Sequence, residues 1–255
     1  MCGHRKSFEH LLTEIEVMST VKSDNIIRLY DIYQDQTNYY LIIDYCNQGD
    51  FINYLKNLGQ NYLEEDEAIY FLKQIKNAFV VLRNNSVMHR DIKLENMFVT
   101  DHVLKLGDFG FAKIRQDTTS SVLGSKYTMA PEILLGVHKT KTYGPKCDLW
   151  SIGCVFYQML FGIKIDIGFE GDGSIRAIAK AIENLNEREI QFPKPVSHLT
   201  EDILRRLLTK DEESRISFDD FFNHPIFKTS SKQINQVKEK LKKKYTPLNY
   251  RRSCS

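Results

Sequence analysis

The run His89-Arg90-Asp91-Ile92-Lys93-Leu94-Glu95-Asn96 sets a carboxylate, an ammonium and an amide within six residues, and Asp108-Phe109-Gly110 follows with its acid seventeen residues after Asp91. Asp91 can accept a proton from a hydroxyl nucleophile. Asn96 offers a neutral oxygen and Asp108 a charged one, the hard donors that magnesium prefers. Lys93 adds a cation where negative charge shifts as a phosphoryl group moves. Such a transfer needs positioning and charge neutralisation more than covalent help from the protein. Gly110 lets the chain turn freely after the metal ligand. Alone, each residue would pass for a surface ion pair or a turn aspartate. What sets them apart is their order, completed by Ala130-Pro131-Glu132 beyond a Ser/Thr-rich stretch.

Elements must position these groups. Phe8, Leu11, Leu12, Ile15 and Met18 recur at helical spacing, so residues 7–21 read as an amphipathic helix. Residues 26–45 read as two β-rich runs around the polar turn Asp35-Gln36-Thr37-Asn38. Residues 64–85 are helical, with Ile69, Leu72, Ile75, Phe79 and Leu82 on one face. Two strand-like pieces, 97–100 and 103–108, bracket Asp101-His102. From Pro131 onward helix follows helix. Thr200 before Glu201-Asp202 reads as an N-cap with acids on the first turn, and Ser217 with Asp220 as a reciprocal capping pair. A small mixed start thus leads into a mainly helical remainder, an α+β chain.

At 255 residues and 42% hydrophobic composition the chain can bury a real core, which excludes a disordered, collagenous or disulfide-stapled protein. The five cysteines are scattered, odd in number and form no CxxC, which suits free thiols in a reducing, cytoplasmic setting. The first ten residues are too polar for a secretory signal. The most apolar stretch, 149–163, is broken by Ser151 and Gln158 and short for a membrane span, so it reads as a buried helix. Net charge is +2, but residues 228–255 hold nine Lys/Arg against one Glu. That basic tail reads first as a solvated terminal helix packing lightly on the domain, and second as a weak contact for an acidic membrane or a partner. No nucleic-acid partner is expected.

On the motifs H-R-D-x-x-x-x-N, D-F-G and A-P-E, the chain resembles the eukaryotic protein kinases over nearly all of residues 7–227. The resemblance implies a bilobal fold, ATP and Mg²⁺ as cofactors, and a protein substrate presenting Ser or Thr. It implies Asp91, Lys93, Asn96 and Asp108 as the catalytic set, with Asn96 and Asp108 on the metal. Glu14 matches the helix-C glutamate, and Met18, Leu29, His89 and Phe109 a hydrophobic spine. Ile43-Asp44-Tyr45-Cys46 matches the hinge, with Ile43 as gatekeeper and the backbone of Asp44 and Cys46 facing adenine. Phe98 sits where the family places the residue under the adenine ring. Asp50 matches a ribose-contacting acid, though a helix-start aspartate reads nearly as well. Asp148 and Trp150 match the helix anchoring the catalytic loop, and Glu132 with Arg215 a buried ion pair. Lys93 and the pair Gly124-Ser125 resemble the serine/threonine class, with Ser125 bridging toward Asp91 and Lys93. Arg90 implies a basic pocket for a phosphorylated loop, with Ser121 and then Thr119 as the foremost sites. The wording of DYCNQGDF, LGSKYTMAPEIL and KCDLWSIGCVFYQML resembles the autophagy-initiating kinases (the ULK/Atg group).

The start departs from that pattern. The glycine-rich loop and the lysine 15–20 residues before the glutamate would lie ahead of residue 1 when counted from Glu14, and Lys6 falls on the same helix as Glu14. The expectation is therefore a partial N-lobe over 1–45 (helix C plus one strand pair), a C-lobe over 46–227 and a basic tail over 228–255, the start read as a truncation. Leu94 stands where proline is common and Thr128 where tyrosine is usual. The alternative to an active enzyme is a catalytically impaired scaffold or binding module.

Overall fold

The computed structural model describes residues 2–114, 125–136, 143–165, 174–184, 190–228 and 230–247, and of residues 2–7, 136, 175 and 176 the backbone. Thr118, Thr119, Ser120 and Ser121 lie outside the described residues.

Helix α1 (Cys2–Thr20) precedes the hairpin of β1 (Leu29–Gln34) and β2 (Tyr39–Ile43), whose antiparallel register is shifted between Leu29 and Asp31. The expected polar turn closes it: the Asp35 carboxylate accepts the N–H groups of Thr37 and Asn38, both at 2.7 Å. Tyr33, Tyr40, Ile42 and Ile43 of the hairpin are exposed. Short α2 (Phe51–Asn57) and long α3 (Glu65–Asn84) follow. Ala68, Phe71, Leu72, Ile75, Ala78, Phe79 and Leu82 form the buried stripe of α3, the spacing an amphipathic helix requires.

Strand β3 (Val87–Met88) pairs with β6 (Lys113–Ile114), and β4 (Met97–Thr100) with β5 (Val103–Leu106). Asp101 and His102 join β4 to β5 with φ of +49° and +61°, the left-handed pair of a two-residue hairpin. His102 is held there by three contacts. Its N–H donates to Gln48 (2.7 Å), its Nδ1 meets the Tyr54 hydroxyl (2.8 Å), and its carbonyl accepts from Tyr70 (3.0 Å). The segment before β1 is tied to β5 by Ile27 N–H to the Leu106 carbonyl and Leu106 N–H to the Asn25 carbonyl, both 2.9 Å.

After α4 (Pro131–Gly136) comes α5 (Lys146–Phe161), buried from Cys147 through Tyr157 as befits a core helix. No helix among the described residues is long and apolar enough to cross a membrane. Gly153 permits the close approach of α7 (His198–Leu207), since a Cβ there would meet Leu207 and Leu208 at 2.9 Å. Helices α6 (Ile175–Asn184), α8 (Phe218–Phe222) and α9 (Ser231–Lys244) complete the order. Glu132 and Arg215 form the expected pair, bidentate at 2.8 Å on each arm.

Two capping expectations are corrected. The cap of α7 is Ser197, whose hydroxyl accepts the Thr200 N–H; Thr200 lies one turn inside, fully buried. Ser217 does cap α8, but the Asp220 carboxylate takes the Ser217 hydroxyl (2.6 Å) and so makes a side-chain pair.

Candidate active site

The chain leaves β3 into His89 and Arg90, and α5 holds that exit from the other side. The Asp148 carboxylate accepts the N–H groups of both, each at 2.8 Å. Arg90 adopts φ +67°, a left-handed conformation stabilised by this grip. His89 is wholly buried, and burial pulls its imidazole below the usual range, so the ring is neutral. Its Nε2 faces the Gly107 carbonyl at 3.1 Å and so carries the hydrogen, leaving Nδ1 to accept the Asp91 N–H at 3.3 Å. Phe109 packs on the ring with centroids 4.9 Å apart.

Asp91 sits at the centre. Its Oδ2 accepts from Lys93 Nζ at 2.6 Å and from Asn96 Nδ2 at 2.9 Å, and its Oδ1 from the Ser125 N–H at 2.8 Å. Ser125 reaches Asp91 through its backbone N–H. Asn96 also donates Nδ2 to the Asp91 carbonyl at 2.9 Å, which turns its Oδ1 away from Asp91. The hairpin register carries this amide to Asp108: Met97 pairs with Leu106, and the Gly107 N–H meets the Asn96 carbonyl at 3.0 Å. Asp108 itself is exposed at φ +59°, and its carboxylate has no hydrogen bond or ion pair among the described residues. A freely presented carboxylate beside a turned-out amide oxygen fits the hard-donor set magnesium takes.

Glu14 of α1 reaches the same place. Burial, then the Asp108 charge, raise the pKa of its carboxylate above the usual range. Among the described side chains no Lys or Arg pairs with it. Two carboxylates thus interact without a cation among the described side chains.

On the other side of the cleft, the Asp44 N–H is committed to the Arg28 carbonyl at 3.0 Å. Its carboxylate holds the Arg28 N–H (2.9 Å), Tyr30 hydroxyl (2.8 Å) and Lys105 ammonium (3.0 Å). The Cys46 carbonyl accepts from Gly49 (3.1 Å); the Asp44 carbonyl and Cys46 N–H have no partner among the described residues. Ile43 is 45% exposed, and Phe98 is half-buried against Gly107. Asp50 caps α2, with Oδ1 accepting the Asn53 N–H (2.9 Å) and Oδ2 its side-chain amide (2.6 Å), so the helix-start reading describes what it does here. Arg90 donates to the Phe111 carbonyl at 2.7 Å and to the Tyr143 hydroxyl at 3.3 Å. Lys105, Phe111 and Tyr143 carried no signal in the sequence, because each meets its partner only through the tertiary fold.

The chain belongs to the protein kinase domain family, whose model matches residues 3–227. Within that family it is similar to serine/threonine-protein kinases. The atg1 kinase of Dictyostelium discoideum is 36% identical over 228 residues, 86% of this chain and 32% of that protein. The unc-51 kinase of Caenorhabditis elegans is 33% identical over 259 residues, 95% and 29%. Human ULK1 is 32% identical over 237 residues, 88% and 22%. The chain thus spans under a third of the length of each of these three relatives.

Proposed function

We propose that this chain transfers the γ-phosphoryl group of ATP to serine and threonine hydroxyls of protein substrates, in the service of autophagy initiation. The observation that carries the reading is the Asp91 carboxylate, held by Lys93, Asn96 and the Ser125 N–H at 2.6 to 2.9 Å beside a freely presented Asp108. On this reading the fold is bilobal, with residues 1–45 a partial first lobe, 46–227 the second and 228–255 a basic tail. Adenine faces the open Asp44 carbonyl and Cys46 N–H, with Ile43 and Phe98 lining its site.

Asn96 Oδ1 and the Asp108 carboxylate would hold magnesium, which when bound neutralises charge on the phosphates. Asp91 orients the acceptor hydroxyl and takes its proton as the oxygen–phosphorus bond forms and the bond from the γ-phosphorus to the β,γ-bridging oxygen breaks. The Ser125 N–H is the contact on Asp91 best able to yield to that hydroxyl, since Lys93 and Asn96 come from the same loop as Asp91. Lys93 remains beside the moving charge.

The test is Asp91→Asn. Phosphate transfer from labelled ATP to a serine peptide should fall by roughly 10²–10⁴-fold, the usual worth of a general base, with an unchanged circular dichroism spectrum. Equal activity in a folded variant would refute the assignment. The relatives' names speak for transfer over the silent scaffold.

A further inference from the structure

We propose that the cavity between α3, α9 and the start of α7 is a binding site for a small amphipathic carboxylate, with its apolar body in the cavity and its head on Lys73. The cavity measures about 410 Å³ and is walled by Ile69 and Tyr70 of α3, Ile234 and Val237 of α9, Leu199 of α7 and Ile226. That volume falls among ligand pockets, which run from about 300 to 1,000 Å³ and are mostly apolar with a few polar groups. None of its residues belongs to the candidate active site, so the inference stands apart from the kinase reading.

Ile226 and Val237 are buried at its base, Ile69, Tyr70 and Ile234 are half-buried, and Leu199 is 44% exposed. The apolar wall is thus wet in the free protein, and an apolar body that displaces its water gains free energy. Tyr70 offers the wall its ring, because its hydroxyl already donates to the His102 carbonyl at 3.0 Å.

Charge names the head group. Asp66 and Lys240 also line the cavity, but they satisfy one another at 3.0 Å. Lys73 lines it half-buried, and among the described residues its ammonium has no hydrogen bond or ion pair. Lys76, three residues on along α3, has no carboxylate there either. Its ammonium lies 5.3 Å from the Phe227 ring centroid, and burial, then the Lys73 charge, hold its pKa below the usual lysine range. Two neighbouring cations are therefore partly desolvated without an acid to answer them. A neutral ligand would bury Lys73 further with no partner, which is costly, and a cation would be repelled. A carboxylate on an apolar body meets both demands, and its single charge matches the one unpaired ammonium on the wall. Gln233 adds a donor: its Oε1 accepts the Ser230 N–H (2.9 Å) and hydroxyl (2.8 Å), which leaves its Nε2 for the ligand.

The experiment titrates the full chain with decanoate, decanol and decyltrimethylammonium, which share one ten-carbon body, and reads binding by ligand-observed NMR. Decanoate should bind roughly three- to tenfold more tightly than decanol, as one partly desolvated ion pair allows, and the ammonium probe most weakly. In Lys73→Gln decanoate should fall to the level of decanol while decanol is unmoved, which also shows that the cavity is intact. In Lys73→Glu the order of the two ions should reverse. In methyl-labelled protein, decanoate should shift the signals of Leu199, Ile234 and Val237. A decanoate preference that survives Lys73→Gln, equal binding of the three probes, no binding of any, or methyl shifts confined to other parts of the chain would overturn the proposal.

Discussion

Asp91 offers two carboxylate oxygens, and the fold already spends both, on Lys93 and Asn96 at one and on the Ser125 N–H at the other. Asp108 offers two and spends neither within the described residues. On the proposed function, that contrast separates the group to be aimed from the group left open to an ion. Cys46, placed at the hinge in the proposed function, shows the same logic in a neutral group. Burial, with the Asp44 charge nearby, pushes its thiol up to about 11. A raised thiol pKa leaves the protonated form dominant at neutral pH, so at pH 8 about one part in a thousand is thiolate. Alkylation of Cys46 by iodoacetamide, followed by peptide mass spectrometry, should run roughly ten- to a hundredfold slower than for a free cysteine, the higher nucleophilicity of the thiolate offsetting part of its scarcity. The rate should climb about tenfold per pH unit to near pH 10 and level off only above its pKa. A plateau by pH 9 would show that the thiol is not held up by its surroundings.

The caps of α7 and α8 show what an element owes to its flanks. Ser197 supplies the hydroxyl that accepts the Thr200 N–H at 3.3 Å, so Ser197→Ala should cost about 1 kcal/mol in urea unfolding, the usual value of a lost cap. A cost below about 0.3 kcal/mol would return the cap to Thr200, given that capping substitutions normally exceed that. The sequence misled here because two hydroxyls three residues apart both precede acids; burial of Thr200 decides between them, and burial is a property of the packed chain. Where the periodicity is long, as in α3, the residues announce the element and its inner face; in α1 they announce the helix, but of the expected face Met18 is buried while Phe8 and Leu12 are exposed. Where a contact joins distant segments, as Asp148 does with His89 fifty-nine positions away, only the motif as a whole pointed to it. Lys105 on Asp44 and Phe111 on Arg90 had no motif to announce them. Asp91, Lys93, Asn96 and Asp108, the proposed catalytic set, lie on two loops joined by one hairpin, so local spacing nearly fixes their geometry.

At the scale of the whole molecule, the basic tail is part of the domain's packing. Residues 228–255 carry a net +8 against −6 for the rest of the chain, and α9 spends two of its lysines inward. Lys244 meets the fully buried Glu67 at 2.6 Å, and Lys240 meets Asp66 at 3.0 Å. Apolar contact does more: Val237 and Leu241 are buried, and beyond the helix Tyr245 stacks on Tyr54 with centroids 5.7 Å apart and accepts a hydrogen bond from Asn57 at 3.2 Å. Tyr54 in turn holds His102 at the turn between β4 and β5, so the tail braces the hairpin that aligns Asn96 with Asp108. This departs from the lightly packed, solvated helix that composition pointed to: of the apolar face Ile234, Val237 and Leu241 seen in the sequence, Val237 and Leu241 are buried. Leu241→Ala discriminates the two pictures. A helix integral to the core should lose roughly 2–4 kcal/mol on that truncation, read by urea unfolding. A solvated helix would lose under about 0.5 kcal/mol, as surface changes do. The surface variant Lys242→Ala, whose side chain is exposed and among the described residues pairs only with Glu239 of its own helix, serves as the control and should change stability by less than about 0.5 kcal/mol. If both variants prove equally mild, the tail contributes charge to the surface and nothing to the brace beneath the active site.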